Sequence, residues 1–179
     1  MQSHFRMLLA YKAWANVLTF ETVNSLPDGE ATTIRQTRWE SIAYTLSHVA
    51  VVDDIFRCHL LGIRHDYTFR NLERRHSLPD LWAWQQSLDN WYIDHFADLG
   101  SDDWEESIAF QFVGGGAGAM TRAEIVCHIV NHGTYHRGLV SDMLCQVPAD
   151  MPANDLPVFL RDIWTAERQQ PALALSSSP

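Results

Sequence analysis

The chain is poor in features that would announce a function. It has three cysteines in 179 residues, Cys58, Cys127 and Cys145. They are odd in number, far apart and form no CxxC pair. That excludes a disulfide framework and a thiolate zinc site, and it fits a reducing compartment. No run approaches the roughly 18 apolar residues that span a bilayer, so no membrane partner is expected. The opening MQSHFRMLLAYKAWANV has neither the apolar block nor the small-residue cleavage site of a secretory leader, and a cytoplasmic protein is the expectation. Positive charge is scarce as well: 13 Lys and Arg stand against 22 Asp and Glu, a formal net charge of −9. Such a surface repels phosphate backbones, and the densest basic stretch, Arg70 to His76, includes Glu73 and reads as a solvated linker. No nucleic-acid partner is expected.

Common catalytic signatures are missing too. GxSxG and HExxH do not occur, and Ser41 and Ser47 beside His48 lack an orienting acid and base. GGGAG at 114–118 lacks the lysine and hydroxyl of a phosphate loop and reads as a turn. Glu73–His76 forms an ExxH, but a di-iron site needs two such motifs plus two further glutamates, and this one falls in the polar linker. Cys127 adjoins His128, yet helix neighbours diverge by about 100°, so they make no thiolate–imidazole pair. Cys127 is expected as a small core residue.

What is present is a chain with 46% apolar residues, long enough to bury its own core in one domain. Helical periodicity covers roughly residues 2–25, with LPDG as its stop signal. A second helix is expected to open at Thr37, with Glu40 completing a capping box, and to carry Ile42, Leu46, Val49, Val52 and Phe56 down to Leu61. A third begins at Ser77-Leu78-Pro79-Asp80 and runs to about Leu99. A fourth begins at Thr121, with Glu124 three residues on, and ends near Gln146. A short helix at 155–167 follows. Ile108, Phe110 and Phe112 alternate ahead of the glycines, suggesting a short hairpin or extended arm before the fourth helix. The expected fold is all-α: a four-helix bundle with a long crossover between helices two and three. Residues 1–168 read as one domain and 169–179 as a disordered tail.

His128, His132 and His136 follow one another at four-residue spacing on the fourth helix. Positions four apart drift by only about 40° around a helix, so an adjacent pair can converge on one ion, as in HExxH sites. The outer two lie about 12 Å apart along the axis, too far to share an ion with metal–nitrogen bonds of about 2.0–2.1 Å. His132 belongs to both possible pairs. His48, beside the apolar stripe of the second helix, is the best candidate for a third ligand, since an unpaired imidazole is costly to bury there. Three neutral nitrogens with open positions match catalytic metal sites, and histidine-only ligation suits zinc, nickel, copper or iron(II). A proton relay or structural polar seam is the competing reading. His4, His59, His65, His76 and His95 show no such pattern and read as surface or boundary residues.

HIVNHGTYHRG, at 128–138, resembles the histidine signature of the DinB/YfiT-like family of metalloenzymes, which belongs to a superfamily of metal-dependent thiol transferases. TLSHVAVVDDIF at 45–56 is similar to that family's helix-two histidine motif, and YKAWANVL at 11–18 resembles its helix-one stretch. The resemblance implies a metal held by His48, His132 and His136, with His128 a pocket neighbour, and a homodimer. It also implies a transferase joining a low-molecular-weight thiol to a small electrophilic substrate. Leu139 stands where the family often has glutamine, which puts that glutamine's hydrogen bond in doubt. Asp53, or His128, is a candidate base or pocket residue. A metal-dependent hydrolase is a second possibility, and a non-catalytic binding protein with a structural metal, or none, a third.

Overall fold

Four long helices account for most of the chain: α1 (Gln2–Asn24), α2 (Ile42–Leu61), α3 (Leu78–His95) and α4 (Arg122–Leu144). The structure is a computed structural model and describes residues 2–71, 76–147 and 149–165. The principal packing pairs are α2 with α4, α1 with α3, α1 with α4, and α2 with α3. Each long helix therefore touches two others. None of the described helices is long and apolar enough to cross a membrane.

The helix ends follow local chemistry. At α4 the Thr121 hydroxyl accepts from the Glu124 N–H at 3.1 Å, and the Glu124 carboxylate accepts from the Thr121 N–H at 2.7 Å. This is the capping box expected there. Ser77 caps α3 by accepting from the Asp80 N–H, with proline in the first turn. The second helix departs from expectation. It starts at Ile42, capped by Ser41, whose hydroxyl accepts from the Tyr44 N–H at 3.2 Å. The Thr37–Glu40 box does not form, because Glu40 has a left-handed φ of 56° and its carbonyl accepts from the Arg35 N–H at 2.6 Å. That turn closes the chain before α2 can begin.

The arm ahead of α4 is a two-stranded antiparallel sheet, so the chain is mostly helical rather than wholly so. Strand β1 (Ser107–Gln111) pairs with β2 (Ala117–Thr121), with Phe110 opposite Gly118. Gly115 and Gly116 turn the hairpin at φ of 91° and 93°, the region where a side chain is strained. A Cβ on Gly118 would come within 2.7 Å of the Phe110 ring and 2.9 Å of the Phe112 ring. Gly118 thus leaves the space into which both rings fold. After α4 a short helix, α5 (Leu156–Phe159), continues as a wider turn over Leu160–Trp164. The expected tail at 169–179 lies outside the described residues.

The core has two apolar halves. One gathers Tyr11, Phe56, Tyr92, Phe96, Trp104 and Ile129, the other Phe20, Ile42, Leu46, Leu88 and Met143. Near their junction on every long helix lies a buried polar layer. Lys12, the one lysine of the sequence, is 1% exposed and donates to Asp53 at 2.6 Å and Asp89 at 2.5 Å. Gln85 donates to the same two carboxylates, and Asn16 donates to Asp89 at 2.9 Å. Arg137 reaches the layer from α4 through the Asn16 amide oxygen, at 3.4 Å. Burial alone would lower the Lys12 ammonium, but the two carboxylates outweigh it and hold it above its usual range. One ammonium and one guanidinium balance two carboxylates, the condition under which buried charges are tolerated. Cys127 is exposed, contrary to expectation, because Ile125, Val126, Ile129 and Val130 are the positions that α4 turns inward.

Candidate metal centre

Three histidines from two helices meet beside this polar layer. His48 on α2 and His132 and His136 on α4 each offer a ring nitrogen, and these nitrogens all lie within 4.8 Å of one another. Nε2 of His48 is 3.1 Å from Nε2 of His132. The ring centroids of His136 lie 4.7 Å from His48 and 4.5 Å from His132. Trp39, from the segment before α2, packs on His48 at 4.6 Å and edge-on to His136 at 4.5 Å. Its indole thus covers one side of both rings.

The second nitrogen of His48 determines its tautomer. Nδ1 is hydrogen-bonded to the carbonyl of Arg70. A carbonyl only accepts, so Nδ1 carries the proton and the Nε2 lone pair faces the cluster. This is the arrangement by which outlying hydrogen bonds orient metal-binding histidines. Nδ1 of His132 and Nδ1 of His136 are buried and have no protein partner.

Electrostatics keep the cluster neutral. Burial, reinforced by His136 and His48, pushes His132 down to about 2. Burial and His48 push His136 down to about 4. His48 is lowered by burial, against the opposing effect of its bond to Arg70. At neutral pH all three rings carry free lone pairs. The 3.1 Å between Nε2 of His48 and Nε2 of His132 is short enough for both to hold one ion through metal–nitrogen bonds of about 2.0–2.1 Å. The donor set, three neutral imidazoles with no carboxylate among them, fits a first-row transition metal.

The cluster opens on a cavity of about 240 Å3 whose lining includes His48, His132, His128, Val52, Phe56 and Met120. His128 stands on this wall, its ring 5.5 Å from His132 and 4.7 Å from Phe56. Burial lowers its pKa. It lies outside the group of three. Asp53 does not line the cavity. Its side chain is fully buried, and Oδ2 accepts from Lys12 and Gln85.

Sequence reasoning passed over several neighbours. Lys12 sat unnoticed in an apolar helix, although a lone lysine four residues before Asn16 on such a face is itself a signal. Trp39 and the Arg70 carbonyl carry no signal that spacing could reveal. His59 and His65, read as ordinary, line a second cavity against the hairpin. Glu73, Arg74 and Arg75 of the ExxH stretch lie outside the described residues.

Comparison with known proteins places the chain in a family. The model of the DinB family matches residues 1–169. The chain is also 28% identical over 166 residues to Protein DinB of Bacillus subtilis (strain 168), covering 86% of this chain and 91% of that protein. With a family match over nearly its whole length, the chain belongs to the DinB family.

Proposed function

We propose that the protein is a metal-dependent transferase that joins a low-molecular-weight thiol to a small electrophile, with His48, His132 and His136 as the metal ligands in a four-helix bundle. The observation that carries this reading is the convergence of three neutral imidazoles on one point at the edge of a cavity. A divalent transition metal held there supplies a Lewis acid that lowers the pKa of a thiol at an open position.

The chain's own residues do the remainder. The Arg70 carbonyl holds the His48 ring in register, and Trp39 shields His48 and His136 from solvent. Val52, Phe56 and Met120 give the cavity an apolar wall against which an electrophile can lie. His128, neutral on that wall, takes the thiol proton on an imidazole nitrogen. The thiolate sulfur then bonds to the electrophilic carbon, whose leaving group departs with the bonding pair. Asp53 does not reach that proton, since its side chain is fully buried in the polar layer and does not line the cavity. The reading includes a homodimer, for which the exposed side chains of Ile34 and Phe69 offer apolar surface.

The test is formation of a thioether from monochlorobimane and a panel of low-molecular-weight thiols, with and without added zinc, nickel or iron(II). Metal-dependent conjugation that disappears in His132→Ala supports the reading. Conjugation no faster than the uncatalysed reaction for every thiol and metal contradicts it. Metal-dependent hydrolysis without conjugation would make the protein a hydrolase.

A further inference from the structure

The cavity beside the histidine cluster does not end at His59. A larger one, about 640 Å3, lies beside it between the end of α2, the segment after it and the hairpin. His59, Phe110, Phe112 and Val113 line both cavities, so the two share this wall and together make up the hairpin groove. Phe110 forms part of its wall, stacked on His59 at 4.8 Å and edge-on to Phe56 at 5.6 Å. Phe112, 56% exposed, stands over the mouth.

The charges along this groove run against the rest of the molecule. The sequence carries 22 acidic residues and a net charge of −9. Yet among the described residues no carboxylate lines either cavity, while Arg64 lines the outer one and Arg70 the inner one. Asp54, behind Tyr67, is already engaged by the Tyr67 hydroxyl at 2.6 Å and by Arg57 at 2.7 Å. Nδ1 of His65, on the outer wall, is buried without a protein partner. Apolar sides with two arginines, and no carboxylate among the described lining residues, favour an anion over a cation.

We infer that the groove binds an anionic substrate, drawn by the positive charge of Arg64 and Arg70, with its apolar portion against Phe110 and Phe112 and its reactive end toward His48 and His132. The inference takes the site of reaction from the proposed function, but the charge selection belongs to the groove alone. Phe112 and Gly118 then set the length and bulk accepted, because Gly118 makes room for both rings.

The test uses three probes of matched shape, phenylbutyrate, phenylbutanol and phenylbutylamine, titrated calorimetrically into the full chain. It is run with metal, with chelator, and in His132→Ala. Phenylbutyrate should bind roughly tenfold more tightly than the alcohol and the amine more weakly than either, in all three preparations. Arg64→Glu/Arg70→Glu should reverse the order, and Gly118→Val should weaken all three probes alike by displacing the rings. Equal affinities, absence of binding at millimolar probe, or a carboxylate preference that survives the double reversal would overturn the inference. So would a preference seen only with metal, since the carboxylate would then be binding the ion. Because the chelated and His132→Ala arms need no metal, failure of the proposed function leaves this result readable.

Discussion

Nε2 of His48 and Nε2 of His132 lie 3.1 Å apart, although the two residues are 84 positions apart in the chain. Packing of α2 on α4 brings them together, and the Arg70 carbonyl turns the His48 lone pair inward. The polar layer around Lys12 lies beside them. The Gly133 Cα, next to His132, is close enough to the layer that an added Cβ would meet Arg137 Nη1 at 3.2 Å and Lys12 Cε at 3.8 Å. The histidine cluster and the buried ion network are therefore built against each other.

Lys12→Met should destabilise the protein by about 3–5 kcal/mol, since it leaves Asp53 and Asp89 buried without their cation. Replacing both carboxylates by asparagine in the same chain should recover much of that loss. Urea denaturation of the wild type, the single variant and the triple variant makes the comparison. Equal stability of wild type and Lys12→Met would show that the network does not hold the helices together.

Acid should weaken the metal-free protein earlier than its carboxylates alone would. His132 is held at about 2 and His136 and His59 at about 4 in the folded state, chiefly by burial. In the unfolded chain each titrates near the ordinary 6.5. The unfolded state therefore binds more protons below about pH 6.5, and stability falls as pH drops from there toward the folded values. The Tm of chelated protein should fall steadily between pH 7 and 5, and less steeply in His132→Ala. A flat profile over that window would contradict the burial assigned to these rings.

Trp39→Ala should weaken metal binding by roughly tenfold while leaving one site per chain, because it removes the packing that orients and dries His48 and His136. Competition with a chromogenic chelator measures this. An unchanged affinity would make Trp39 a bystander.

Part of this arrangement was legible in the sequence because it is local. His132 and His136 share a face by helix geometry, and the Thr121–Glu124 box spans one turn. The stop at LPDG and the proline start of α3 are equally local. The Thr37–Glu40 pair failed by the same logic: it has the right spacing, but Glu40 is drawn into a turn with Arg35 that the four-residue pattern does not contain. The role of Lys12 is not local, because its partners are 41 and 77 residues away. His59 looked ordinary because what gives it a place is Phe110, on the hairpin. Cys127 is small and apolar enough to suggest an inward position, but the apolar stripe of α4 runs through its neighbours. Spacing predicts which side chains share a face, and it does not show what a distant helix brings to meet them.

The central claim is that one metal ion binds through His48, His132 and His136. Its most direct test is the metal content of untagged protein after loading with zinc and removal of excess, compared among wild type, His132→Ala and His128→Ala. The account predicts about one ion per chain in the wild type and in His128→Ala, and none in His132→Ala. An ion retained by His132→Ala, or lost in His128→Ala, would contradict it.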